Sequence, residues 1–70
     1  MPQSIENKIL NYLQDNQGRW VSKIELEDNR KQFDCLAETV GRKCRNLARK
    51  NFHILKDTNN KVVEYKYINL

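Results

Sequence analysis

Residues 39–54, TVGRKCRNLARKNFHI, combine a helix that is apolar on one side and rich in Arg and Lys on the other with the start of a β-strand. Four apolar residues, one of them three positions before this stretch, fall within an arc of about 80°, at 100° per helical residue, which predicts the buried side of the helix. They are Leu36, Val40, Cys44 and Leu47. A helix whose opposite side is this basic is suited to lie against a polyanion.

The ends of this helix, and the strands that follow it, are indicated by residue type. Asp34 is predicted to cap the amino end, and Lys50 and Asn51 close the helix. Beyond Asn51 the apolar residues alternate, which predicts a hairpin that closes within residues 57–60. The face predicted to meet the core carries Phe52, Ile54, Val63, Tyr65 and Tyr67, and the other face carries His53, Leu55, Val62, Glu64, Lys66 and Ile68.

The first helix is predicted over residues 5–16. Ser4 is a favourable N-cap, and Gly18 lies just beyond the end of the apolar period. Residues 19–21 then form a short extended segment. We expect this segment to join the hairpin as a third strand.

The second helix has the best-marked start in the chain. Ser22 and Glu25 have the spacing of a capping box, and Val21 and Leu26 occupy the two positions of a hydrophobic staple. The polar run 27–32 leaves the end of this helix open, either near residue 29 or at residue 31.

The order helix, short strand, helix, helix, strand, strand resembles that of the winged helix-turn-helix DNA-binding family. The resemblance is carried by Thr39, Val40, Arg42, Leu47, Phe52 and Ile54. It implies an α+β fold, a three-helix bundle with a small three-stranded antiparallel sheet, in which Trp20 packs between the sheet and the first helix. The interval from Leu26 to Thr39 is longer than is usual in this family, so the turn before the third helix departs from the family pattern.

Length and composition predict one domain, residues 1–70. Apolar residues make up 39% and charged residues 31%, enough for one core but not for a deep enzymatic cleft. A single His, no Gly-rich phosphate loop and no spaced carboxylate pair argue against an enzyme, a cofactor or a small-molecule ligand. Without a run of about 18 apolar residues or a signal peptide, we expect no membrane partner and a cytoplasmic location.

The two cysteines, Cys35 and Cys44, are predicted to lie in one helix, about 13 Å apart along its axis. This separation excludes a disulfide between them while the helix is intact, and reduced thiols are expected. Cys44 is predicted to be buried, whereas Cys35 projects toward the outer side. With His53 as the only histidine, no zinc site is predicted.

Positive charge is concentrated in the second half of the chain. Residues 1–34 hold five basic and six acidic side chains, a balance of −1, whereas residues 35–70 hold eight basic and three acidic ones, a balance of +5. A basic half of this kind indicates an anionic partner, although an ordinary solvated basic surface has the same composition.

The resemblance and the helical spacing together predict a DNA-binding surface. Arg and Asn are suited to guanine and adenine edges, and Glu38 can accept from cytosine or exclude other bases. The predicted base contacts are Thr39, Arg42, Arg45 and Asn46, and the predicted phosphate contacts are Lys43, Arg49, Lys50, Asn59 and Lys61. The alternative for this helix is a solvated face with pairs such as Glu38 with Arg42.

The leading hypothesis is therefore a small transcriptional regulator that reads double-stranded DNA. A protein-interaction module with the same fold is the main alternative, because fold alone does not decide function. RNA binding is a weaker third interpretation. The apolar residues of the outer hairpin face, Leu55, Val62 and Ile68, suit a homodimer or another protein, and a monomer is equally open. The acidic cluster Glu25, Glu27 and Asp28 suits a solvated face or one that repels phosphate.

Overall fold

A computed structural model describes residues 3–59 and 61–69 of the chain. Within these residues the protein is α+β, with three α-helices, one 3₁₀-helix and a three-stranded antiparallel sheet in the order β1-β3-β2. The elements are α1 (Ile5–Asp15), β1 (Val21–Ser22), α2 (Lys23–Asp28), the 3₁₀-helix (Arg30–Phe33), α3 (Ala37–Lys50), β2 (Ile54–Asp57) and β3 (Glu64–Tyr67). The predicted order of helices and strands is confirmed, and the 3₁₀-helix is an addition to it.

Helix α1 begins and ends as its capping residues predict. The Ser4 hydroxyl accepts a hydrogen bond from the Asn7 amide at 3.1 Å, which satisfies one of the free amides of the first turn. At the other end Gly18 takes φ +83°, a conformation that favours glycine. Its amide donates to the Tyr67 carbonyl at 2.9 Å and so ties the end of α1 to β3.

The predicted start of α2 is also confirmed. The Ser22 hydroxyl accepts from the Glu25 amide at 3.0 Å, and Val21 and Leu26 are both fully buried. The helix ends at Asp28, in agreement with the shorter of the two predicted ends. It is only six residues long, because the chain next turns into the 3₁₀-helix that carries the buried Phe33.

The predicted N-terminus of α3 is wrong. Asp34 adopts the left-handed conformation (φ 55°, ψ 45°) at the end of the 3₁₀-helix, and its carboxylate pairs with Lys8. Asp tolerates this conformation better than most residues. Asp34 therefore ends the 3₁₀-helix and does not cap α3. The N-cap is Leu36, which makes no side-chain capping bond and is 65% exposed. Cys35 also precedes the helix; it packs partly against the core and not on the outer side.

The hairpin confirms the predicted core face at Ile54, Val63, Tyr65 and Tyr67 but not at Phe52, and its turn differs from the predicted one. Ile54 pairs with Tyr67, and Asp57 pairs with Glu64, so a six-residue loop, 58–63, joins the strands. A tight turn centred on residues 59 and 60 would shift the pairing by two positions. Because side chains alternate with period two, this shift leaves the same residues facing the core. Asn60 lies outside the described residues.

Two aromatic residues expected to pack inward are exposed. Trp20 precedes β1 and is 36% exposed, because Val21 takes the inward position opposite Tyr65. The Lys66 ammonium lies 5.4 Å from the centre of the Trp20 ring. Phe52 is 75% exposed and lies outside β2. Its ring stacks on His53 with centroids 4.6 Å apart, and His53 stacks on Tyr67.

The core lies between the three helices and the inner face of the sheet. Its buried residues are Ile9, Leu13, Val21, Leu26, Phe33, Val40, Cys44, Leu47, Ile54 and Tyr65. The predicted burial of Cys44 is confirmed, and burial raises the pKa of its thiol to about 12. Among the described residues no helix has the length and apolar character needed to cross a membrane.

Hydrogen bonds to one carboxylate, that of Glu25, join α1 to α2. Arg19 donates to both oxygens of Glu25, at 3.1 and 2.8 Å, and the Tyr12 hydroxyl donates to the same carboxylate at 2.5 Å. The Arg19 hydrogen bonds, followed by that of Tyr12, lower the pKa of Glu25 to about 2. The Glu25 side chain therefore links three segments of the chain and does not face solvent freely.

We expect Leu36→Ser to raise the free energy of unfolding by about 1 kcal/mol, because Ser supplies the missing capping bond of α3 and little buried apolar area is lost. Urea denaturation measures the change. Leu36→Ala is the control and should change stability little. A loss of several kcal/mol in both variants would show that Leu36 belongs to the core.

We expect Glu25→Gln to lower stability at neutral pH by about 1 kcal/mol, a value kept small by the solvent exposure of Arg19. Because the folded pKa is below the ordinary value of 4.5, the contribution of Glu25 is complete above that pH and is lost as the pH falls toward 2. Denaturation from pH 2 to 7 should therefore give a flatter profile for the variant. Asp28→Asn, at an exposed carboxylate of the same helix, is the control; equal profiles for wild type and Glu25→Gln would contradict the expectation.

Candidate nucleic-acid interface

The outward side of α3 presents three arginines in line. Arg42, Arg45 and Arg49 are all exposed, and none of their side chains forms an ion pair or a hydrogen bond with another described residue. In particular, the alternative pairing of Glu38 with Arg42 is not formed. The spacing of three and four residues places these side chains on one stripe of the helix. Their guanidinium groups are therefore available to an external anion.

The other predicted contact residues of α3 lie on its side toward α1. Lys50 donates to the Glu6 carboxylate at 2.7 Å. This hydrogen bond lowers the pKa of Glu6, and the charge of Lys43 and the amide of Asn46 act in the same direction. Thr39, in the first turn, is half-buried. The structure thus divides the predicted residues into an arginine stripe and a group around Glu6.

A cleft of about 300 Å³ separates α3 from the hairpin. It is lined by Lys23, Glu38, Gly41, Arg42, Arg45, Lys56, Val63 and Tyr65. Its four basic side chains come from α2, α3 and β2. Sequence reasoning did not assign Lys23 and Lys56 to the site. The alternating pattern of the hairpin could have identified Lys56, which lies two residues after the inward-facing Ile54 and so points to the same face. A charged side chain on that face needs an anion or solvent beside it.

Gly41 allows Lys23 to reach this cleft. A Cβ atom at position 41 would lie 3.0 Å from Cε and 3.5 Å from Nζ of Lys23, so the lysine crosses α3 directly over the missing side chain. Lys23 Nζ lies 3.7 Å from the Glu27 carboxylate, which holds the ammonium from the α2 side. The close neighbour of α3 at Gly41 is therefore the Lys23 side chain.

Tyr65 supplies an unusual polar group to the cleft. The residue is only 2% exposed, and within the described residues its hydroxyl has no hydrogen-bond partner. Burial raises its pKa to about 12, so the hydroxyl stays protonated and keeps its donor hydrogen at neutral pH. Among the described residues no buried side-chain nitrogen or oxygen lacks a hydrogen-bond partner, so the unpartnered Tyr65 hydroxyl is the part of the residue that reaches the cleft.

The basic surface continues along the second half of α3. A further groove of about 360 Å³ is lined by Arg45, Ala48, Arg49, Ile54, Leu55 and Lys56. Arg45 and Lys56 belong to both the cleft and this groove, so the two depressions are neighbours. The two depressions adjoin each other between α3 and β2, with Arg45 and Lys56 at the boundary between them.

The loop 58–63 carries the remaining predicted contacts. Asn59 and Lys61 are exposed, and the Asn59 amide donates to the Asp57 carboxylate at 2.9 Å, a local bond that shapes the first part of the loop. Lys61 forms no ion pair with another described residue. Both side chains lie at the far end of the hairpin from Phe52.

Comparison of the chain with models of protein families, with curated proteins and with solved structures finds no match. Function is therefore inferred from the site itself. Over residues 3–59 and 61–69, no three His, Cys, Asp or Glu side chains lie close enough together to hold a metal ion.

We expect Gly41→Ala to raise the free energy of unfolding by up to about 1 kcal/mol, because Ala has a higher helix propensity than Gly. The flexible end of the Lys23 side chain can move aside to make room for the added methyl group. The displaced ammonium should appear as changed Lys23 side-chain shifts in NMR spectra. Ala48→Gly, the reverse change in the same helix, should destabilise by a similar amount. A destabilised Gly41→Ala would show that Lys23 cannot move.

Proposed function

We propose that the protein is a winged-helix DNA-binding domain that inserts α3 into the major groove of duplex DNA and acts as a small transcriptional regulator. The observation that carries the proposal is the stripe of three exposed arginines without partners on α3. An isolated row of like charges is unfavourable in the free protein and is neutralised by an anionic partner. The element order and the sheet order β1-β3-β2 are compatible with this fold.

Arg42 and Arg45 are the leading base readers in this proposal. The major groove admits one α-helix, and a guanidinium can donate to both acceptors of a guanine edge. Thr39 and Asn46 flank the stripe and are proposed to contact bases beside it. Arg49, near the carboxyl end of α3, is proposed to bind phosphate.

The group around Glu6 has a different role in the proposal. Lys50 already donates to Glu6 at 2.7 Å, so a phosphate contact by Lys50 uses its remaining N–H donors or replaces this ion pair. Lys43 can donate to phosphate while it stays near Glu6. Asn59 and Lys61, in the loop that would form the wing, are proposed to contact the DNA backbone next to the groove occupied by α3.

Repulsion between the acidic residues of α2 and DNA phosphates would orient α3 toward the DNA, but the structure supports this effect only in part. The carboxylates of Glu25 and Glu27 are engaged by Arg19 and Lys23, whereas Asp28 is exposed. Charge repulsion from α2 is therefore weaker than the count of acidic residues suggests. The proposed orientation depends mainly on the attraction of the arginine stripe.

We expect the protein to bind duplex DNA with an affinity that falls steeply with salt, because binding releases counterions. Against a selected target sequence, Arg42→Ala should reduce discrimination between sequences by about 1 to 3 kcal/mol. Lys43→Ala should weaken binding to all sequences alike. Fluorescence anisotropy with selected and random duplexes, at several salt concentrations, measures both effects.

Lys31→Ala is the matched control, since this exposed lysine lies on the 3₁₀-helix and lines neither the cleft nor the groove beside β2. Its effect on affinity should be small. Absence of duplex binding at low ionic strength would refute the proposal, and tighter binding to RNA than to DNA of equal length would redirect it to RNA.

A protein-interaction role is the second candidate, and the outer face of the sheet favours it. Leu55 is 40% exposed and pairs with Lys66, whose ammonium covers the half-exposed Trp20. Val62, in the loop, and Ile68, after β3, are half-buried and leave less apolar surface than the sequence suggested. Sedimentation at high protein concentration tests for a homodimer through this face; a monomer throughout would exclude it.

A further inference from the structure

We propose that the cleft between α3 and the hairpin is a binding site for a phosphate group, with Tyr65 as a neutral donor among four cations. Two of these cations, Arg42 and Arg45, are also the proposed base readers, whereas Lys23, Lys56 and Tyr65 belong to the cleft alone. The phosphate comes either from a nucleic-acid backbone, in which case the inference deepens the proposed function and rests on it, or from a free phosphorylated molecule. In both cases the recognised chemistry is a tetrahedral oxyanion.

The charge of the cleft suits a doubly charged anion. Lys23, Arg42, Arg45 and Lys56 bring four positive charges to its walls. Glu38 lines the same cleft, and Glu27 lies 3.7 Å from Lys23. These two carboxylates leave a local excess of two positive charges, which matches a phosphate monoester or two successive phosphodiesters.

The Tyr65 hydroxyl makes the cleft a prepared site and not merely a basic surface. Basic side chains on a surface are solvated and can point elsewhere, but the Tyr65 ring is fixed by the core. Tyr65 lines the cleft, and its hydroxyl has no hydrogen-bond partner among the described residues. An anion oxygen in the cleft would accept this hydrogen bond in place of water, from a donor whose direction the core already fixes.

Gly41 provides the second specific feature. Without a side chain at this position the cleft has a backbone floor, and Lys23 lies across it with Cε 3.0 Å from the position of the missing Cβ. The glycine therefore both opens space and admits a cation from another helix. Glycine is common where a ligand approaches the backbone closely.

The first experiment titrates the protein with inorganic pyrophosphate at low ionic strength and follows ¹H–¹⁵N shifts. We expect saturable changes at Gly41, Lys56 and Tyr65, with smaller ones at Lys31 and Lys61. Tyr65→Phe, which removes only the hydroxyl, should weaken pyrophosphate binding about tenfold. Gly41→Ala should also weaken it several-fold by displacing Lys23, while its denaturation midpoint shows that it is folded.

Lys61→Ala is the control, because it removes a cation outside the cleft and should leave pyrophosphate affinity nearly unchanged. The same variants are then tested with a random-sequence DNA duplex. If the duplex displaces pyrophosphate and Tyr65→Phe weakens duplex binding, the phosphate site is filled by the backbone. If the duplex and pyrophosphate bind at the same time, the site takes a free phosphorylated molecule. If only pyrophosphate binds, the site again takes a free phosphorylated molecule, and the proposed DNA-binding function fails while the phosphate site stands.

If pyrophosphate does not bind but Tyr65→Phe weakens duplex binding several-fold, the site is supported with the backbone as its source. Equal affinities of wild type, Tyr65→Phe and Gly41→Ala for every ligand would overturn the proposal. It would also be overturned by non-saturable shifts that spread over all basic residues, since these indicate counterion attraction without a site.

Discussion

Strand β3 is the element on which the rest of the structure depends. It pairs with β1 on one side and β2 on the other, and it places the ring of Tyr65 in the core. The end of α1 is fixed to it through the Gly18 amide and the Tyr67 carbonyl. The start of α2 is fixed just before it through the Lys23 amide, which donates to the Val63 carbonyl at 2.8 Å. One short strand thereby sets the positions of two helices and of the hairpin.

This arrangement explains why the basic side chains gather where they do. Because α3 buries Val40, Cys44 and Leu47, its arginines can point only outward or along the hairpin. Because β3 is central, β2 lies at the sheet edge beside α3 and brings Lys56 to Arg45. The positive surface is thus a consequence of core packing, and its two sides differ: the stripe is free of partners, whereas the side toward α1 is partly neutralised by Glu6.

Much of the fold was predictable from local signals. Helix starts at Ser4 and Ser22 follow from side-chain capping, and the inward face of the hairpin follows from alternation, which survives a register error of two residues. The start of α3 was not predictable in this way, because Asp34 satisfies its carboxylate with Lys8, 26 residues away. Phe52 was also placed wrongly, on the inward face of the hairpin, because strand β2 begins two residues after it.

The site was predictable only where a single helix determines it. Helical spacing alone put the arginines on one side, but the approach of Lys23 over Gly41 and the unpartnered hydroxyl of Tyr65 depend on contacts between separate elements. No periodicity in the sequence records such contacts. The division around Glu6 was missed likewise, because it needs the packing of α1 against α3.

The position of Lys23 has a mechanical consequence. Its backbone amide is bonded to the hairpin at Val63, its ammonium is held by α2 at Glu27, and its stem crosses α3 at Gly41. One residue therefore touches the three parts of the molecule that surround the cleft. A change in the angle between the hairpin and α3 would move the Lys23 backbone relative to α3, and an anion bound beside its ammonium, as proposed, would oppose that movement.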